Sequence, residues 1–125
     1  MTTTLVRNAT VLATMDDQQR EIPGGGLYIR DNVIEVVGPT SDLPETADAV
    51  VDLTDHLLLP GLVNTHHHLY QTLTRAVPAA QDAVLFRWLR VHYPVWVGLT
   101  GEAVRVSTLV GTAELLHSGC TTTSD

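Results

Sequence analysis

Lysine is absent from this chain of 125 residues, and all seven basic residues are arginine. Against 14 acidic residues they leave a formal net charge of -7. That balance argues against nucleic acid or an anionic membrane as the main partner, since both select cationic surfaces; solubility is the simpler reading. One cysteine, Cys120, excludes an intrachain disulfide and fits a reducing, cytoplasmic setting. It lies between an apolar run and a threonine run, where a small buried residue is expected rather than a nucleophile. No stretch approaches the roughly 20 apolar residues that cross a bilayer. The opening MTTTLVRNATVL lacks the basic start and long apolar core of a signal peptide. There is no C-x-x-C pair, which sets aside the deaminases built on H-x-E and P-C-x-x-C. Gly24-Gly25-Gly26 lacks the Lys-Ser/Thr of a phosphate loop. No serine or cysteine sits on a nucleophile elbow.

What remains is globular in texture, 44% hydrophobic and 17% charged. Residues 1–58 read as short strands and form one expected domain. Leu5–Ala13 alternates loosely and suits an opening strand. Pro23-Gly24-Gly25-Gly26 reads as a flexible turn. Leu27–Arg30 and Val33–Val37 flank Asp31-Asn32, a pair that favours a tight hairpin. Ser41–Thr46 is a polar loop, and Ala49–Leu53 and His56–Leu59 are two further short strands. Together they predict a small antiparallel module.

Residues 59–125 form the second expected domain, and the texture changes at Pro60-Gly61. Leu62–Thr65 reads as a short buried strand, and residues 69–81 as an irregular connection. Asp82–Trp96 is helical with Pro94 as an interruption. Thr100 suits an N-cap with Glu102 in the first turn. Val104, Thr108 and Leu115, widened by Leu109, Ala113 and Leu116, outline an apolar helix face. Gly119 follows as a C′ residue, and Cys120–Ser124 as a β-branched strand. Strand, helix, strand is a βαβ unit, so the two strands should pair in parallel. The class is α/β.

Candidate chemistry centres on His66 and His68. Alternate side chains of a strand point the same way, so these two imidazoles can converge while His67 turns aside into a packing or supporting role. Two neutral imidazoles at a strand end make half of a zinc site. Gln71 offers an amide donor and acceptor, suited to the edge of a heterocycle and equally to solvent. Arg75, Trp88 and Tyr93 are candidates to line a pocket, although Trp88 and Trp96 fall in an apolar helix where core packing is the commoner role. His92 and His117 read as helix-surface or packing residues and His56 as structural. Asp125 follows directly on a strand, a suggestive place for a carboxylate.

The run Pro60-Gly61-Leu62-Val63-Asn64-Thr65-His66-His67-His68 after a small β module resembles the amidohydrolase superfamily. Tyr70-Gln71, Leu73-Thr74-Arg75-Ala76, Gln81-Asp82, Leu85-Phe86, Trp88-Leu89, Ala113-Glu114-Leu115-Leu116 and Gly119-Cys120-Thr121-Thr122 extend the likeness along the chain. They place it nearest the 8-oxoguanine deaminase and hydroxydechloroatrazine ethylaminohydrolase group, beside the s-triazine hydrolases. The resemblance implies a (β/α)₈ TIM barrel with a small β-sandwich domain. This chain supplies part of the sandwich, the first barrel strand, helices and the second barrel strand. At 125 residues the barrel is incomplete, since one typically takes about 250. It implies His66 and His68 as metal ligands, Gln71 and Trp88 as substrate contacts, and zinc as the cofactor with iron as the other candidate. The implied reaction is hydrolytic deamination of a purine-like heterocycle such as 8-oxoguanine. An s-triazine, guanine or pterin is the alternative substrate, and an inert fragment or interaction module the alternative class. No catalytic acid or base is expected within these residues. The chain alone is expected to be inactive and to need the remainder of the barrel or self-association, as a homo-oligomer.

Overall fold

A computed structural model describes all of residues 1–125. It divides into two compact units, Met1–Pro60 and Gly61–Asp125.

The first unit is a five-stranded sheet. Strands β1 (Thr3–Ala13), β2 (Glu21–Arg30) and β3 (Val33–Pro39) run antiparallel in turn. The hairpin predicted at Asp31-Asn32 joins β2 to β3, with Asp31 at a left-handed φ of 52°. Strands β4 (Ala49–Asp52) and β5 (Leu57–Leu58) both pair with β1 in parallel, so the expected all-antiparallel module is in fact a mixed sheet. The cause is the connection after β3: a 3₁₀ turn at Thr40–Asp42 and the loop beyond it carry the chain back to the start of β1's direction. Leu5, Tyr28 and Leu43 form the buried cluster, with Ala47 packed against it.

Pro23–Gly26 is not a turn. It lies inside β2, with Pro23 opposite Val11 and Gly25 opposite Ala9. Close approach explains it: a Cβ on Gly26 would overlap the Val6 carbonyl and stand 2.9 Å from Leu43 Cδ1. Opposite, β1 bulges between Val6 and Ala9, where Asn8 takes a φ of 61°.

The second unit pairs β6 (Leu62–Asn64) with β7 (Cys120–Thr123) in parallel, as the strand-helix-strand order predicts. Between them lie 3₁₀ segments at Leu69–Thr74 and Pro78–Ala80, then α1 (Leu85–Val97) and α2 (Gly101–His117). Helix α1 begins later than Asp82 because Asp82 itself has a φ of 56°, which no right-handed helix admits. Pro94 stays inside it. Thr100 caps α2, its hydroxyl accepting the Ala103 N–H at 3.1 Å.

Two expectations fail here. Leu62 and Val63 are 56% and 65% exposed, so β6 is not a buried strand: a two-stranded sheet has no second layer to cover that face. The apolar face outlined on α2 is its packed face only at Leu115, since Val104, Leu109, Ala113 and Leu116 are exposed. The buried positions are Ser107, Gly111 and Leu115, a stripe of mostly small residues against which Leu69–Thr74 seats.

Candidate functional site

The site begins where β6 ends. Gly61 admits it: a Cβ there would overlap the Thr121 side chain, so only glycine lets β6 lie this close to β7. The strand stops at Asn64, and His66–His68 lie beyond it. The imidazoles therefore do not converge by strand alternation, as the sequence argument supposed. Asn64 turns the chain instead, its Oδ1 accepting the His66 N–H at 2.9 Å. The outcome is still two neighbouring rings: the His66 and His68 centroids stand 5.3 Å apart, edge to face.

β7 brings Asp125 to the same place. Asn64 pairs with Thr123, and the Ser124 N–H donates to the Asn64 carbonyl at 3.1 Å. The Asp125 carboxylate then accepts the Leu69 N–H at 3.2 Å and lies 3.9 Å from His68 Nδ1. That second distance is too long for a hydrogen bond. No three His, Cys, Asp or Glu side chains are grouped as a complete metal cluster.

Helix α2 fixes the following segment. The buried Ser107 hydroxyl donates to the Leu69 carbonyl at 2.7 Å and accepts the Leu73 N–H at 3.3 Å. A Cβ on Gly111 would come within 2.8 Å of Thr72 Oγ1 and 2.9 Å of Leu69 Cδ2. Leu69, Thr72 and Thr74 are thus held inward, with Tyr70 and Gln71 only half-buried. His67 sits apart from the His66 and His68 pair, close to Gly111, and its Nδ1 is buried without a hydrogen-bond partner.

His66, His68, Tyr70 and Gln71 line one side of a cavity of about 490 Å³. Leu85, Trp88, Leu89, Tyr93 and Trp96 of α1 line the other. Trp96 stands edge to face with Tyr70 at 5.5 Å and with Tyr93 at 5.6 Å. The Gln71 amide donates to the Tyr70 hydroxyl at 2.8 Å, which leaves its carbonyl oxygen as the end open to a ligand. An apolar-walled cavity with a few convergent polar groups is the usual form of a small-molecule site.

The structure therefore brings together His66, His68, Gln71, Trp88 and Tyr93. Arg75 is elsewhere. Its guanidinium pairs with Glu114 at 2.7 Å, and that contact holds the Glu114 carboxyl below its ordinary value. His56 lies just before β5 rather than in a strand, exposed, with Nδ1 2.8 Å from the Thr54 carbonyl; His117 is exposed in the last turn of α2, and Cys120 is buried. Sequence reasoning assigned no pocket role to Tyr70, and read Trp96 as core. The Trp88, His92, Trp96 spacing of i, i+4, i+8 was the available signal, since it puts three aromatic rings on one helix face.

Comparison with known proteins gives the lineage. The amidohydrolase family model matches residues 57–125. The 8-oxoguanine deaminase of Pseudomonas aeruginosa is 42% identical over all of this chain, which covers 27% of that protein. A triazine hydrolase from Arthobacter aurescens superposes with a TM-score of 0.89 at 28% identity, over all of this chain and 28% of that one. An adenosine deaminase from Xanthomonas campestris with bound zinc superposes at 0.87 and 30% identity, over 98% of this chain and 28% of that one. The chain thus spans little more than a quarter of the length of these relatives.

Proposed function

The chain belongs to the amidohydrolase family, and we propose that its second unit supplies the metal-ligating opening of a zinc-dependent aminohydrolase. In this reading β6 and β7 are the first two strands of a (β/α)₈ barrel, and Met1–Pro60 is part of a β-sandwich domain. The substrate is a purine-like heterocycle such as 8-oxoguanine.

One observation carries the reading: two exposed imidazoles stand side by side at the mouth of an aromatic-walled cavity. Their donor chemistry fits a zinc ion. The ring nitrogens of His66 and His68 make no hydrogen bond within the chain, whereas both nitrogens of His92 face backbone carbonyls. His66 and His68 would hold the metal. Catalytic zinc sites usually use three protein ligands, so this pair is a partial set. Bound there, zinc would supply the positive charge that makes a water nucleophilic near neutral pH. The residues of this chain do the rest of the placing. Trp88 offers an indole wall to a flat ring and excludes water from it. The Gln71 carbonyl oxygen accepts a ring N–H at the heterocycle's edge. Asp125, 3.9 Å from His68 Nδ1, stands beside the pair as a further carboxylate at the same strand ends.

Zinc per chain after dialysis tests the ligand assignment. A ratio near one, lost in His66→Ala and His68→Ala, supports it, and further donors then come from a second copy or a partner. A ratio unchanged in both variants overturns it. Ammonia release from 8-oxoguanine is expected to be absent from the 125-residue chain and, in any assembly that shows it, to vanish in the same variants. An s-triazine is the second candidate substrate, on the strength of the triazine hydrolase likeness. The inert-module reading draws on the exposed Leu62 and Val63, an apolar surface that suits covering by further protein.

A further inference from the structure

We propose that His92 is a positioning residue for this cavity: it ties α1 to the Leu69–Thr74 segment and so sets the distance between the tryptophan wall and Gln71. The proposal deepens the substrate-site reading above and rests on it for its functional meaning.

His92 is 1% exposed, more deeply buried than any other histidine in the chain. Its two ring nitrogens face two different backbone carbonyls. Nδ1 is 2.9 Å from the Trp88 carbonyl, one turn back on its own helix, and Nε2 is 3.2 Å from the Thr74 carbonyl. A carbonyl can only accept, and a neutral imidazole carries one N–H, so the ring donates to one of the two carbonyls at a time. The tautomer with the proton on Nε2 makes the cross-segment bond to Thr74. The ring also lies between indoles, 4.3 Å from Trp88 and 5.1 Å from Trp96, tilted 36° and 35°. One side chain thus touches both tryptophans and the backbone of the Leu69–Thr74 segment behind the cavity.

Thr74 completes the tie. Its carbonyl meets His92, its hydroxyl accepts the Trp96 Nε1–H at 3.1 Å, and the same hydroxyl donates to the Gln71 carbonyl at 2.9 Å. The backbone of Gln71 and the indole of Trp96 are therefore linked through one buried threonine. Pro94 has no N–H, so the helix bond to the Arg90 carbonyl is missing two residues before Trp96. Trp96 itself stays in the helix ladder, its carbonyl accepting the Leu99 N–H at 3.0 Å, and the Thr74 hydroxyl adds a bond from outside it.

Trp88 and Trp96 are the only tryptophans in the chain, 5.3 Å apart and inclined at 68°. Their near-ultraviolet circular dichroism reports the arrangement that His92 is proposed to fix. His92→Phe keeps a flat ring and removes the ring N–H donor. His92→Gln restores one N–H donor group without the ring. The tryptophan band is expected to fall by about half or more in His92→Phe and to recover partly in His92→Gln, with far-ultraviolet helix signal and zinc content unchanged. A His92→Phe band equal to that of the parent chain overturns the proposal. Thr74→Val serves if His92→Phe does not fold: it deletes only the hydroxyl and should likewise weaken the band, and an unaltered band there also overturns it. Quenching of tryptophan emission by 8-oxoguanine is read in parallel. Weaker affinity in His92→Phe, on the order of tenfold, supports the link to substrate, and equal affinity overturns it. If the parent chain binds no heterocycle, the substrate-site reading has failed, while the dichroism still decides the role of His92.

Discussion

The two units of this chain treat their polar groups differently. Ion pairs occur in both units, Arg75–Glu114 and Arg105–Glu102 lying in the second, and in Met1–Pro60 they are joined by polar side chains. Arg7 and Asn8 both meet Asp52, Arg30 meets Glu35, and Asp48 accepts from both the backbone N–H and the hydroxyl of Thr3. In Gly61–Asp125 the imidazoles of His66 and His68 are left without hydrogen-bond partners, and His67 Nδ1 is buried with none. Apolar residues face outward in both units, Val33, Ile34, Val50 and Leu57 in the first and Leu62 and Val63 in the second, so exposed apolar area does not separate them. Unmade polar contacts do, because folding alone gains nothing from leaving them unmade. Unspent donors beside an aromatic cavity are what a ligand site requires. The contrast supports the proposed placement of the site in the second unit.

The strongest way to break that contrast is to damage the scaffold and watch the site. Leu5 is 2% exposed in the first unit's cluster, and Leu5→Ala should destabilise that unit by about 2–5 kcal/mol. Urea unfolding measures the loss, and zinc content should not move if the first unit takes no part in ligation. The reverse experiment is His68→Ala. It should weaken zinc binding by at least about 100-fold, near 2.7 kcal/mol, and leave the urea midpoint of metal-free protein almost unchanged. A large fall in that midpoint would mean that His68 is a packing residue and that the contrast is mistaken. Gly61→Ala lies between the two kinds. The new methyl overlaps Thr121, so the β6–β7 pair should lose about 1–3 kcal/mol and zinc affinity should fall with it. Gly61→Ala with unaltered zinc binding would show that the strand pair does not position the histidines.

What the sequence revealed follows the same division between local and distant causes. The Asp31-Asn32 hairpin, the Thr100 cap and the parallel pairing of β6 with β7 were legible because each depends on a few neighbouring residues or on element order. The turn at Pro23–Gly26 was misread because glycine signals close approach as readily as reversal, and the approaching atoms belong to Val6 and Leu43. The histidine pair was found for a partly wrong reason. Spacing suggested a strand, while the structure ends the strand at Asn64 and turns the chain with its side chain. The seat of Leu69–Thr74 on Ser107 and Gly111 was not legible at all. Small residues on a helix say that something comes close, not what it is.

The smallest expected effect tests the scaffold's own electrostatics. The Asp48 carboxyl is held below its ordinary value of 3.8, first by the Thr3 backbone N–H and then by the Thr3 hydroxyl. Asp52 is lowered too, chiefly by the Thr54 hydroxyl, then by the Thr54 N–H and by Asn8. A carboxyl whose folded value is depressed stabilises the fold above its unfolded value, and that contribution disappears as pH falls through the folded one. The first unit should therefore lose stability as the pH drops below about 4, while at neutral pH the contribution is fully present. Both groups are exposed, so screening keeps the effect small and salt should reduce it further. Urea midpoints of the parent chain, Asp48→Asn and Asp52→Asn between neutral and acid pH measure it. The parent's acid slope should be shallower in each variant, because the titrating group is gone. A slope unchanged in both would show that neither carboxyl carries the acid sensitivity, leaving Asp16 in the first unit and Glu102 and Glu114 in the second as the depressed groups to test next.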